Sequence, residues 1–241
     1  MRVLAIAALV LFATAGCAAS TDEKGHVQAA KRIADGAAAS PAPSGSAAAS
    51  PKASASPTRA RGPAGTAADA KAAVPAPNAF DGLGGHHIKE NDDEALYSLG
   101  AVCGKELSTV SKGQNDGMNR TWEADAWWLG LVAVGNKAVP ASEHISSIKK
   151  NYGTCKEYTE DKTKRTITGV FDLGKLEGVD SSYAWTEQTV TEDGTTATVC
   201  EAYIGRGNVI TWITVDAPSP NTAANVCKES SIIAAKQLAK V

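Results

Sequence analysis

Prolines and tryptophans divide this 241-residue chain into two populations, and that division limits its fold more than any other feature. Seven of the ten prolines fall between Pro41 and Pro77, whereas all five tryptophans fall between Trp122 and Trp212. Within Ala37–Pro77, 33 of 41 residues are Ala, Pro, Ser or Gly, no aromatic occurs, and Val74 is the only branched apolar side chain. Such a stretch buries too little surface to offset the entropy of ordering it. Its prolines interrupt any long helix. The repeated units Ala39-Ser40-Pro41, Ala49-Ser50-Pro51 and Ala55-Ser56-Pro57 read as low complexity, not as a folded repeat. The core must therefore come from the last two thirds of the chain. A uniform fold, a multi-span membrane protein and a coiled coil are excluded, and a large multidomain enzyme is disfavoured.

The N-terminal segment reads as an address. Arg2 precedes a 13-residue run without charge, Val3–Ala15. That is shorter than the about 20 residues a membrane-spanning helix needs, and it has the length of a signal-peptide h-region. Ala13-Thr14-Ala15 suits ordinary signal peptidase, while small residues leading into Cys17 resemble a bacterial lipobox with Thr14 in place of the usual leucine. The chain has five cysteines, Cys17, Cys103, Cys155, Cys200 and Cys227. Lipidation of Cys17 leaves an even number for an oxidising compartment, whereas a secreted soluble form keeps one odd thiol. The expectation is a lipoprotein signal peptide at 1–16 and a diacylglyceryl anchor on Cys17, whose two chains suffice for stable membrane attachment.

Residues 17–78 then form a tether. About 60 residues as flexible coil span roughly 40–45 Å, and ~190 Å if fully polyproline-like. Ala37–Pro77 carries four basic residues and one acidic residue, while the remainder from Ala79 carries 16 basic and 22 acidic. The overall net charge of −2 is thus the sum of a basic tether and an acidic head. A basic tether suits anionic lipid or wall polymers, and a plain solvated spacer fits as well.

The head, residues 79–241, reads as α+β: an antiparallel sheet flanked by two helices. Segments 81–85 and 91–94 look like loops. Ala126–Val134 is apolar enough for a strand buried on both faces. Pro140–Tyr152 reads as a helix with Ser142 as cap, an inward row of Ile145, Ile148 and Tyr152, and Gly153 as stop. Thr166–Leu173 alternates, with Ile167, Phe171 and Leu173 inward. Tyr183–Thr191, Thr195–Ile204 and Val209–Val215 form a meander, turned at Asp193-Gly194 and at Gly205–Asn208. Thr222–Lys240 is an amphipathic helix capped by Ser219 or Asn221. Cys103, Cys155, Cys200 and Cys227 permit three pairings; Cys103–Cys155 and Cys200–Cys227, each joining a helix to the strand region before it, are favoured, with a four-cysteine zinc site as rival.

Catalytic signatures are scarce. Ser146-x-x-Lys149 and Ser147-x-x-Lys150 lack the Lys-Thr-Gly partner of penicillin-recognising enzymes. His86-His87 with Asp92, Asp93 and Glu94 behind them reads as a solvated loop, because adjacent side chains point apart, and His144 reads as an exposed helix residue. No catalytic residue, no metal ligand and no cofactor is expected, and an acidic exported head is a poor nucleic-acid binder. The sequon Asn119-Arg120-Thr121 carries little weight. Trp127 and Trp128 are strand neighbours and must face opposite sides. The tryptophans are either core or, in the case of Trp122, Trp128 and Trp185, the lining of a cleft for a glycan or other amphipathic ligand.

The order of landmarks resembles a known family. Cys103-Gly104-Lys105 opens a strand, a Trp-rich strand follows (Trp122, Trp127, Trp128), and a helix ends near Cys155. Then come Cys200 in a strand, the Gly207–Ile210 turn and strand, and a C-terminal helix. This order is similar to the PknH-like extracellular sensor domain of actinobacteria, found outside receptor Ser/Thr kinases and alone in lipoproteins. The resemblance spans roughly Ala95–Val241 and implies an antiparallel sheet with flanking helices, two disulfides and a ligand cleft. The short Cys200–Cys227 interval departs from the pattern. The functional expectation is a non-catalytic extracytoplasmic lipoprotein on the cell membrane, sensor-like, binding an envelope protein or glycan ligand. A structural or protein-interaction module is the alternative, and a hydrolase with an unrecognised site the remote one.

Overall fold

The computed structural model describes residues 62–97, 101–103, 105–106 and 115–241. Cys17, the leader and the tether through residue 61 lie outside the described residues, as does Gly104. The architecture is α+β, as expected. Among the described residues the strands are β1 (His86–His87), β2 (Asp93–Tyr97), β3 (Ala101–Val102), β4 (Lys105–Glu106), β5 (Asn115–Ala124), β6 (Trp127–Gly135), β7 (Glu157–Glu160), β8 (Thr163–Phe171), β9 (Ser181–Val190), β10 (Thr196–Arg206) and β11 (Val209–Ala217). The helices are α1 (Ala67–Ala73), α2 (Ala141–Tyr152) and α3 (Pro220–Leu238).

Nine strands make one antiparallel sheet in the order β1-β5-β6-β11-β10-β9-β8-β7, with β2 also on β5. The chain builds this sheet from local hairpins. The β10–β11 turn is the pair Gly207-Asn208, with Gly207 at φ 56°, so Gly205 and Arg206, expected in the turn, extend the strand instead. At one margin β7 is four residues long, and at the other β5 is covered by β1 and β2. Short edge strands of this kind limit edge-to-edge pairing.

Helices α1 and α3 cover one face of the sheet, and α2 the other. Under α3 lie Cys200, Ala202 and Ile204 of β10 with Ile213 and Val215 of β11, which meet Ala223, Cys227, Ala234 and Leu238 of the helix. Ser219 caps α3 by accepting from the Thr222 N–H at 3.2 Å, as anticipated, and Pro220 opens it. Cys200–Cys227 pins α3 to β10 with a Cα–Cα distance of 6.1 Å. Cys103–Cys155, also 6.1 Å, pins the end of α2 to the β3–β4 hairpin. Both pairs are the favoured ones. Cys103 sits at φ 58° in the turn after β3 and does not itself open a strand.

The largest departure from expectation is residues 62–78, which composition assigned to the tether. They fold back as a strap on the α3 side. Thr66 and Asp69 form a reciprocal capping box that starts α1, and prolines at 63 and 75 bracket the helix. Ala70, Ala73 and Val74 are buried. Three side chains of the head reach the strap's carbonyls: Gln237 Nε2 to Ala72 at 2.7 Å, Arg120 Nη1 to Pro75 at 2.6 Å and Trp122 Nε1 to Pro77 at 2.7 Å. Small residues permit the approach. A Cβ on Gly62 would stand 2.7 Å from the Gly207 backbone, and one on Gly135 would stand 2.5 Å from the Thr66 carbonyl oxygen. The residues that make the stretch look disordered are thus the ones that let its backbone lie against the sheet. Among the described residues a third helix joins the expected two, and the packing on the head includes the chain from Gly62 onward.

Other corrections are local. Pro140, not Ser142, occupies the α2 N-cap, without a side-chain cap bond. His144 is fully buried rather than exposed. Ile145, Ile148 and Tyr152 do face inward. Leu173 is buried, while Ile167 and Phe171 are half-buried and belong to the clusters on opposite faces. Segments 81–83 and 89–91 are single 3-10 turns, and 93–97 is strand β2 rather than loop.

Candidate binding face

Period-2 alternation along β9, β10 and β11 sends one set of side chains under α3 and the other toward α2. The α2 side holds Tyr183, Trp185 and Glu187 of β9, Glu201 and Tyr203 of β10, and Ile210, Trp212 and Thr214 of β11. Tyr203 stands opposite Trp212, and Trp185 reaches it diagonally. The three rings form a ladder, each centroid 5.7 Å from the next and the planes within 9° of parallel. Tyr152 of α2 closes the ladder's far end, 4.4 Å from Trp185.

Past the edge of α2 this face opens. Val132 and Trp212, partners across β6 and β11, are half-buried at its margin. Trp128, also half-buried, leans along β6 over Gly130, where a Cβ would stand 2.6 Å from the indole. Only glycine leaves room for that ring. Beneath lies a carboxyl group: Glu201, 6% exposed, accepts from Trp212 Nε1 at 2.5 Å and from Thr214 Oγ1 at 2.9 Å. Burial, then the neighbouring charge of Glu187, pushes Glu201 up to about 8. On the next strand Glu187, fully buried, accepts from Arg165 and from the Tyr158 hydroxyl at 3.0 Å. Arg165 also pairs with Glu160 at 3.2 Å.

The three tryptophans singled out from sequence do not share a site. Trp122 is fully buried on the opposite face, under the strap, edge-on to Phe80 with centroids 4.5 Å apart. It holds the strap and leaves the candidate set. Trp185 is 4% exposed and forms the floor of the ladder, and Trp128 sits at the open margin. Trp127 and Trp128 do face opposite sides.

The sequence reading missed Trp212 as a margin residue, and it missed Glu201, Glu187 and Arg165 altogether. A signal existed for one of them. Residues 198–205 form an apolar-rich run in which Glu201 is the only charge, and the structure buries that run without interruption. A lone charge inside a strand covered on both faces has no way to reach water whatever its parity.

The two histidines in the loop reading occupy β1. His86 pairs with Glu123 at 2.9 Å, and His87 pairs at 2.7 Å with Asp92, which also binds Arg120. Among the described residues no three metal-binding side chains converge, and no helix is long and apolar enough to cross a membrane. Asn119 of the sequon is 2% exposed and donates to the Asn91 carbonyl at 2.9 Å.

No family model and no curated protein matches the chain. Two solved structures are similar to it. The extracellular domain of PknH from Mycobacterium tuberculosis aligns with a TM-score of 0.48 at 10% identity, over 71% of this chain and 94% of that one. An uncharacterized protein from Mycobacterium smegmatis aligns with a TM-score of 0.36 at 12% identity, over 52% of this chain and 65% of that one. Both likenesses are weak, and the fold stands on the sheet and register described above.

Proposed function

We propose that the protein is a non-catalytic, lipid-anchored extracytoplasmic receptor-like domain that binds an envelope ligand or partner on the α2 side of its sheet. The carrying observation is the half-buried row Trp128, Val132 and Trp212 beside a buried carboxyl group, at the margin where α2 stops covering the face. Large amphipathic rings with a polar group below them suit a sugar ring or an apolar side chain flanked by hydrogen-bonding groups. Location is supported by the apolar leader ending at Cys17 and by the two disulfides, which belong to oxidising compartments.

The test immobilises the full chain carrying Cys17→Ala, passes solubilised native envelope over it, and identifies retained protein and glycan. Trp128→Ala and Trp212→Ala should each reduce retention at least about tenfold with the circular dichroism unchanged. Equal retention by these variants, or none by the parent chain, refutes the assignment of this face.

A further inference from the structure

The charges on the α2 side of the sheet do not balance. Three carboxyl groups, Glu160, Glu187 and Glu201, face the guanidinium of Arg165. Glu187 and Glu201 are diagonal neighbours on β9 and β10, since Glu201 stands opposite Trp185 and Glu187 opposite Val199. Both are buried, and the pair is walled by aromatic rings. Arg165 bonds Glu187, whereas the donors on Glu201 are neutral, and both meet its Oε2 atom. Two carboxylates in adjacent, desolvated positions share a single guanidinium and repel, and a proton on one relieves the repulsion.

A second observation lies beside the first. The Tyr152 hydroxyl and the Trp185 indole N–H are buried without a hydrogen-bond partner, although their residues are only 2% and 4% exposed. Both rings border the pair. Glu187 and Glu201 act electrostatically on Tyr152, and Trp185 is the strand partner of Glu201. A buried donor without a partner is costly, and these two lie where a negative charge on Glu201 would attract them.

We infer that Glu201 is a proton-binding switch that couples pH to the packing of α2 on the aromatic ladder. With Glu201 protonated, Trp212 and Thr214 hold it, and Tyr152 packs on Trp185. With Glu201 ionised, Tyr152 and Trp185 turn their donors toward the carboxylate. Tyr152 is the last residue of α2, three positions before Cys155, so the shift is felt by the helix end and the disulfide-linked hairpin. The titratable and charged groups facing Glu201 are Tyr158 and Glu160 from β7, Arg165 from β8, Tyr183 and Glu187 from β9, Tyr203 from β10, Asp216 from β11, and Tyr152 from α2, with His144 two turns earlier on that helix. The switch acts on the proposed binding face, but the proton site stands whether or not a ligand binds there.

The test follows the indole N–H signals of the full chain carrying Cys17→Ala by nitrogen-15 NMR from about pH 5 to about pH 10, with Trp212 assigned through Trp212→Phe. The Trp212 and Trp185 signals should titrate together, with a midpoint well above the ordinary carboxyl range. Glu201→Gln should abolish the titration while keeping the fold. Glu187→Gln should lower the midpoint by about one unit or more, because it removes the neighbouring charge. In the parent chain, amide exchange in α2, corrected for its intrinsic pH dependence, should accelerate about tenfold across the same midpoint. A flat Trp212 signal, a titration that survives Glu201→Gln, or unchanged α2 exchange overturns the inference. Because no ligand is present, failure here leaves the binding face untouched, and failure of the retention test leaves the switch untouched.

Discussion

At the scale of single residues, burial separates groups that the sequence presents alike. His144 has its charged form disfavoured by desolvation, which lowers it to about 4. The unfolded chain takes up a proton near pH ~6.5, the folded one only near 4. Stability from this group is therefore complete above about pH 6.5 and is lost as pH falls toward 4, on the order of 3 kcal/mol in total. Glu201 runs the other way: its folded value is raised, so its contribution declines as pH rises from the ordinary carboxyl range to about 8. The His144 effect is isolated by comparing urea unfolding of the parent chain with His144→Leu at about pH 7 and about pH 4.5. The parent should lose more stability between the two conditions than the variant; equal losses show that His144 does not titrate as its burial demands. Periodicity read Ile145, Ile148 and Tyr152 correctly as one inward stripe; His144, one turn before Ile148, lies on that same stripe, and its polar side chain made it look exposed.

At the scale of elements, the hairpins were legible and the strap was not. Turn residues and β-branched runs announce β9, β10 and β11 because the information is local. The strap is held by Trp122, Arg120 and Gln237, which come from β5 and the end of α3. The local capping box of Thr66 and Asp69 was present in the sequence, but it was outweighed by composition. A chain beginning at Ala79 uncovers the apolar surface under Ala70, Ala73 and Val74 and leaves the Trp122 indole N–H without its carbonyl. It should lose at least about 3 kcal/mol relative to one beginning before Gly62. Gly135→Ala in the longer chain should cost ~1–3 kcal/mol, because the added methyl meets the Thr66 carbonyl. Equal unfolding midpoints for the two chain lengths would show that the strap contributes nothing to the fold.

At the scale of the whole molecule, the strap gives the head a direction. Gly62 enters beside the β10–β11 turn, where Gly135 pairs with Val209. Trp128 lies seven residues back along β6, roughly 23 Å away at ~3.3 Å per residue. Gly62 thus lies at one end of the sheet and Trp128 toward the other; on the proposed anchoring, that is the useful direction for a binding domain. On the proposed anchoring, Cys17→Ala should move the protein from the membrane fraction to the soluble exported fraction, measured by fractionation and immunoblot. A parent chain found wholly in the soluble fraction excludes the lipid.

The sequence alone determined the α+β class, the hairpin order and the inward stripe of α2, because each depends on neighbours within one or two elements, and it favoured the cysteine pairs that the structure shows. It also carried the expectation of an address and a tether. Only the tertiary structure decided that residues 62–78 pack on the head, which tryptophan is a rivet and which is a margin, and that two glutamates share a buried wall. Those outcomes depend on contacts between strands and helices far apart in the chain. Alternation fixes which side of a strand a residue takes, but not what will cover that side.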